Sequence, residues 1–180
     1  MMPALLHLVT LLETAAQIAI STAVITWDMP RRPQDARTLL AIAGALLATC
    51  LMGIAGLVLP WLGARNAAGS LVTFSLTLTC VAVLVHELMD MSLASALFCA
   101  SAGFLVQNLA SSLGTSFLLC AGLWGAGAIT HLAIWTSFLL VCVVVRHLFS
   151  RYVQGASVPV VGSHTVAAMC LLAIAVSILD

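Results

Sequence analysis

The sequence predicts an all-α fold, a polytopic bundle of about six helices that cross the cell membrane, and three observations favour it. The chain of 180 residues is 63% hydrophobic and only 7% charged, whereas a soluble domain carries about 25% charged residues. Apolar runs of roughly 20 residues recur along it, each long enough to cross a ~30 Å hydrocarbon core as a helix. The runs lack the period-two alternation of barrel strands, so helices are the structure that satisfies their backbone in lipid.

Apolar runs predict the spans, and the polar or turn-forming residues between them predict the boundaries. The runs cover about 3–27, 38–59, 70–85, 91–113, 130–149 and 164–180. The separators are DMPRRPQDAR (28–37), the pair Pro60 and Trp61, HELMD (86–90), Gly114 and a polar stretch at 150–163. Residues 115–129 leave two alternatives open, a re-entrant or interfacial segment and a seventh span, because this stretch is short and rich in glycine. We predict that residues 1–180 form a single integral membrane domain.

Arginine placement predicts the orientation of the bundle. The predicted topology anchors are Arg31, Arg32, Arg37, Arg146 and Arg151. Because cytoplasmic loops of membrane proteins carry an excess of basic residues, both the arginine-rich loop 28–37 and the loop 150–163 are predicted to be cytoplasmic. Six spans then place both termini outside, which requires residues 115–129 not to cross the membrane.

Small and polar side chains form a stripe along the predicted fourth span. The stripe consists of Cys99, Gly103, Gln107 and Ser111 at intervals of four, with Gly114 close to the same line. Small residues let helix backbones approach each other, and carboxamides hydrogen-bond across the contact. The stripe therefore predicts a packing seam against a neighbouring helix, with Asn108 about 100° round the helix. A ligand-contacting role for Gln107 or Asn108 is the alternative.

A second polar stripe runs along the first span. It includes His7, Thr10, Thr14, Gln17 and Ser21, with Glu13 beside it. An isolated carboxylate inside a bilayer costs at least ~2.5–3.5 kcal/mol, so we expect Glu13 to face the bundle, to pair or to be protonated. The candidate signal-contacting residues are therefore Glu13 and Gln17 of the first span and Gln107 and Asn108 of the fourth.

The motifs of common enzymes and metal sites are not found in the sequence. HELMD (86–90) has Asp90 where the zinc motif H-E-x-x-H has its second histidine, so we interpret it as a polar interfacial turn. The six cysteines are spread through the apolar runs and are interpreted as small buried residues. We predict no catalytic residue, no metal and no cofactor in this chain, and the absence of a basic patch predicts no nucleic-acid partner. His131 is interpreted as an interfacial residue.

The segment DMSLASALFC (90–99) and the residues after it form a distinctive pattern. An A-G-aromatic-x-x-Q-N-L-A-S sequence follows, with Ala102, Gly103, Phe104, Gln107, Asn108, Leu109, Ala110 and Ser111. With the acid and glutamine of the first span and the Arg-Arg-Pro loop, this pattern resembles the membrane sensor region of GHKL-type sensor histidine kinases of anaerobic Gram-positive bacteria. Their layout is related to that of the accessory-gene-regulator quorum sensors. The resemblance covers the whole chain in organisation and residues 90–111 in specific sequence.

The resemblance implies a plasma-membrane sensor in two-component signal transduction. Such a sensor binds a peptide or small-molecule signal, forms a homodimer and passes a conformational change to a cytoplasmic kinase part that binds ATP and acts on a response regulator. This chain has no phosphoacceptor histidine box and no ATP-binding boxes, so we expect one more span and the kinase part to follow Asp180, as in a fragment or truncated gene product. Two alternatives stay open: a small permease subunit with Glu13 and residues 115–129 along its pathway, and a membrane assembly protein.

Overall fold

Six helices make up most of the computed structural model, which describes residues 2–31, 33, 35–58, 67–123, 128–152 and 163–179. They are α1 (Met2–Ile25), α2 (Ala36–Val58), α3 (Ala67–Leu88), α4 (Leu93–Cys120), α5 (Ala128–Tyr152) and α6 (Ser163–Leu179). Across these ranges there is no strand, and an isolated bridge joins Arg31 to Met89. The prediction of an all-helical fold is confirmed. Within the described ranges, two helical segments are long and apolar enough to cross a membrane by length and composition: Leu93–Cys120 and Ile129–Leu148.

α4 is the central helix of the bundle and packs against α1, α3, α5 and α6. Small side chains make this possible, because Ala96, Ala100, Ser101 and Ala110 are fully buried and let four neighbours approach one backbone. α5 lies at the periphery, since only 17% of its apolar segment is buried, compared with 56% for α4. The candidate residues of α4 therefore lie where the helices meet.

One end of the bundle is formed by the C-terminal ends of α1, α3 and α5 and the N-terminal ends of α2 and α4. We call it the arginine end, because Arg31 and Arg146 lie there. The Asp90 N–H donates to the Pro30 carbonyl oxygen at 2.9 Å, which joins the α1–α2 loop to the α3–α4 turn. Ile25, Met89 and Met91 share one buried cluster beneath this contact. The two connections at this end are therefore packed on each other.

The predicted boundary of the fourth span at Gly114 is wrong. α4 continues to Cys120, and residues 115–120, which had been set apart as an ambiguous segment, belong to it. A Cβ atom on Gly114 would lie 3.2 Å from the Ile134 Cα atom, so this glycine serves the close packing of α4 on α5. Among the described residues of 115–129, the chain leaves α4 in a turn at 121–123 and enters α5 at Ala128, without a separate helix.

Gly122 is the glycine that ends α4. Its φ angle is +67°, in the left-handed region that glycine adopts at little cost. The Gly122 N–H donates to the Leu119 carbonyl at 3.1 Å, and the Leu123 N–H donates to the Leu118 carbonyl at 2.9 Å. These two bonds form a Schellman motif, which satisfies carbonyl groups that the helix end would leave without partners.

The remaining boundaries differ from the predicted ones by a few residues. Asp35 caps α2, because its Oδ1 atom accepts from the Thr38 N–H at 3.0 Å, so residues 36–37 of the predicted loop 28–37 are helical. Residues 150–152 of the predicted loop 150–163 are likewise helical, and 153–162 lie outside the described residues. Several predicted residues also fall outside the part whose side chains the structure describes: Arg32, Arg37, Arg151, His7, Thr10, Pro60 and Trp61.

Candidate functional site

α1 and α4 approach each other closely at Gly103. The Ser21 hydroxyl donates to the Gly103 carbonyl oxygen at 2.7 Å, and both residues are buried. A Cβ atom on Gly103 would lie 2.2 Å from Thr22 Oγ1 and 2.9 Å from the Thr22 backbone nitrogen. Only glycine fits here, because a part of this clash is with the backbone of α1 and no rotation of a side chain removes it.

One helical turn along α4, a carboxamide pair continues this contact. Gln107 Nε2 donates to Gln17 Oε1 at 3.3 Å and to Ser111 Oγ at 3.1 Å. Gln17 and Gln107 are only 5% and 7% exposed. A buried polar group needs a partner, because an unpaired one costs about 1–3 kcal/mol. The sequence stripes of the first and fourth spans therefore meet at Gln17 and Gln107.

The other stripe residues of α4 lie in different surroundings. Cys99 is buried with Ile25 and Val85 towards the arginine end, and Gly114 faces α5. Asn108 is 8% exposed, and its Nδ2 atom donates to the Phe104 carbonyl of the same helix at 3.1 Å. The residues of the stripe therefore contact different helices: Gly103 and Gln107 contact α1, and Gly114 contacts α5.

Glu13 pairs with His131, a residue that the sequence analysis had assigned only to the interface. Glu13 Oε2 lies 3.5 Å from His131 Nδ1, between α1 and α5. Their side chains are 32% and 52% exposed, in contrast to the buried glutamines. Glu13 lies one turn before Gln17 on α1, so the partly exposed pair adjoins the buried carboxamides. A ligand can reach the first of these groups without entering the packed interior.

A second acid–base pair joins the same two helices at the arginine end. Arg146 makes two parallel hydrogen bonds to Asp28, one from Nη2 to Oδ1 at 2.8 Å and the other from Nη1 to Oδ2. Positions 13 and 28 are 15 apart, as are 131 and 146, so the two pairs lie roughly 22 Å apart along parallel helices. Because of this equal spacing, the contact between Asp28 and Arg146, once known, predicts the one between Glu13 and His131.

Acidification is expected to weaken the Asp28–Arg146 pair. The hydrogen bonds that Asp28 accepts from Arg146 and, to a smaller extent, the positive charge of Arg146 hold the pKa of Asp28 below its ordinary value. A carboxyl whose pKa is lowered on folding stabilises the fold above its unfolded pKa of about 3.9, and this stabilisation is lost as the pH falls through the folded pKa. Thermal unfolding between pH 2 and 6 should show this loss as a small effect, because both side chains are partly exposed. The variant Asp28→Asn should lack this acid-dependent loss of stability. Equal pH profiles for the wild type and the variant would contradict the prediction.

The described part of the chain holds no group of three or more His, Cys, Asp or Glu side chains that could bind a metal ion. The described site instead contains a line of polar contacts along α1, from the partly exposed Glu13 to the buried Ser21. Such an arrangement is suited to binding a polar group at one end and transmitting a helix displacement from there.

Comparison with models of protein families, with curated proteins and with solved structures finds no match for this chain. The likeness of residues 90–111 to a sensor kinase therefore stays a prediction from the sequence pattern.

Proposed function

We propose that this chain is a multi-span, membrane-embedded domain that senses a signal, the sensor region of a bacterial histidine kinase. The observation that carries the proposal is the Glu13–His131 pair, which is accessible at its surface and adjoins the buried Gln17–Gln107 contact. Ionisable groups within membrane segments are functional candidates because placing them there is costly. The resemblance of residues 90–111 supports the same assignment.

The outer face of α5 supports a position in a bilayer. Four of its aliphatic side chains are each more than half exposed: Leu132, Leu139, Leu140 and Val143. Soluble monomers rarely expose contiguous apolar patches of this kind, whereas lipid is a suitable environment for them. The proposal is that all six helices cross the plasma membrane, with α5 in broad contact with lipid.

The charges support one orientation. Arg31 and Arg146 lie at the same end of the bundle, and the positive-inside rule favours the cytoplasm for that end. The Glu13–His131 pair, roughly 22 Å away along α1 and α5, then lies towards the outside. An external peptide or small-molecule signal would reach this pair first.

The proposed mechanism is a displacement of α1 relative to α4 and α5. A signal with a cationic or hydrogen-bonding group would compete with His131 for the Glu13 carboxylate and loosen α1 from α5 at the outer end. Because Gln17 and Gln107 are buried, they would not touch the signal, and we assign them as positioning residues that transmit the displacement along α1. The change would reach Asp28 and Arg146 at the cytoplasmic end, from where a homodimer would pass it to the kinase part, which binds ATP, and on to a response regulator.

Two experiments test this proposal. The reading frame after Asp180 is expected to encode one more span, a histidine box and an ATP-binding domain, and an immediate stop codon would contradict the kinase assignment.

The second experiment measures signalling in vesicles. The intact kinase with Gln107→Ala and Asn108→Ala is expected to insert normally and to lose most of its signal-dependent autophosphorylation. Thr79→Val is the matched control, because the exposed Thr79 hydroxyl donates within its own helix to the Ser75 carbonyl at 2.7 Å. An unchanged signal response in the double variant would contradict the role of Gln107 in transmitting the signal.

The permease alternative depended on Glu13 and on an interrupted helix at 115–129, since broken helices line many transport pathways. α4 is continuous through Gly114 to Cys120, and the other described residues of 115–129 are the turn at 121–123 and the first residues of α5. No observation in the described residues favours transport over sensing, so we propose the sensor alone.

A further inference from the structure

We propose that an apolar cleft between α1, α2 and α3 binds one acyl chain of an anionic phospholipid, with the lipid phosphate at the Arg31 side chain. The inference rests on the membrane location proposed above, and it concerns a surface away from Glu13 and His131. A lipid in this cleft would be a bound component of the domain and not only a part of the surrounding bilayer.

The cleft exists because α1 has alanines where larger side chains would fill the space. Ala15, Ala16, Ala19 and Ala23 line one wall, and apolar residues of α3 such as Val81 and Leu84 line the other. The cleft encloses about 320 Å³ and extends along α1 from Leu12 to Thr26. These 14 helical steps correspond to roughly 21 Å. Three of the alanines, Ala16, Ala19 and Ala23, are exposed, so the cleft opens at the surface of the bundle.

The shape of the cleft favours an acyl chain as its occupant. An acyl chain is a single file of methylene groups that lies parallel to the membrane helices. A cleft that is roughly 21 Å long and almost wholly apolar therefore fits the chain of a lipid.

Charge at one end of the cleft selects the headgroup. Thr26 lines that end, and Trp27 follows it directly in the sequence. Met89 also lines it and is bridged to the backbone of Arg31, whose guanidinium carbon lies 5.9 Å from the centroid of the Trp27 ring. Tryptophan and arginine are typical of the headgroup level of a bilayer. A phosphate at this level would meet the Arg31 charge, which favours an anionic lipid of the arginine-end leaflet.

Electron paramagnetic resonance with spin-labelled phosphatidylglycerol tests the cleft. In phosphatidylcholine vesicles that contain the full chain, we expect an immobilised lipid component that Ala19→Leu removes by filling the cleft. The control Ala175→Leu places the same side chain on an exposed position of α6, and it should leave this component unchanged. Arg31→Gln should lower the preference for phosphatidylglycerol over phosphatidylcholine about five-fold, and Arg31→Lys should retain it. Circular dichroism checks that each variant folds.

Each of the following results would contradict one part of the proposal. An immobilised component that Ala19→Leu leaves intact would overturn the acyl-chain site. Equal lipid preference in the wild type and Arg31→Gln would overturn the phosphate contact. If Ala19→Leu abolishes a cross-linked dimer and leaves the lipid signal unchanged, the cleft is an interface between copies. A chain that does not insert into the vesicles at all would refute the proposed membrane function itself.

Discussion

The variant Gly103→Val is expected to lower the free energy of unfolding by about 3 kcal/mol, at the upper end of typical overpacking effects. Any side chain at this position collides with Thr22, and the clash includes the Thr22 backbone nitrogen at 2.9 Å from the added Cβ atom. α1 and α4 must therefore move apart. Their separation also breaks the bond from Ser21 to the Gly103 carbonyl and lengthens the Gln17–Gln107 bond. Equilibrium unfolding in mixed detergent micelles measures the loss.

Gly44→Val is the matched control for this prediction. A Cβ atom on Gly44 of α2 would meet no atom within 4 Å, so its substitution should change stability by less than about 1 kcal/mol. Adding Thr22→Ala to Gly103→Ala should restore a part of the stability, because it removes the nearest atom but leaves the backbone contact. If Gly103→Val and Gly44→Val have equal effects, Gly103 has no special role in helix packing.

The stripe on α4 shows how far the sequence alone could define the site. The four-residue spacing of Gly103 and Gln107 predicts that they share a face. Which helix covers that face depends on tertiary packing, which the spacing of these residues does not specify. In the structure Gly103 and Gln107 contact α1, whereas Gly114 contacts α5. A helix with four neighbours contacts different ones at different points along its length.

The end of α4 illustrates a second limit of sequence reasoning. Gly114 and Gly122 are both plausible helix ends, since glycine is common after a C-terminal turn. The choice between them depends on which position has a neighbouring helix at contact distance, and Gly114 has α5 there. Local propensity therefore predicted a C-terminal end that is seven residues too early.

Glu13 and His131, the pair proposed to contact the signal, show the same limit. The cost of burying a carboxylate predicted that Glu13 faces the bundle, pairs or is protonated. Its partner lies 118 positions away, at the same offset as Asp28 and Arg146. A constant offset is what two parallel helices in register give, so one of these contacts, once known, predicts the other. The segment from Glu13 to Asp28 thus contacts α5 at both of its ends and α4 between them.

The single variant Gln107→Leu is expected to cost about 1–2 kcal/mol, whereas the double variant with Gln17→Leu should recover most of that loss. The single change leaves the buried Gln17 oxygen without the donor at 3.3 Å, and replacing both partners leaves an apolar contact. A double-mutant cycle isolates this coupling, and interhelical hydrogen bonds in membranes set its expected range at ~0.6–1.7 kcal/mol. Asn108→Leu is the control, because its side chain donates to the Phe104 carbonyl of its own helix, so it should not couple to Gln17. Coupling near zero for Gln17 and Gln107 would mean that this hydrogen bond does not help to hold α1 on α4, and that the carboxamide pair does not connect the proposed signal site at Glu13 to α4.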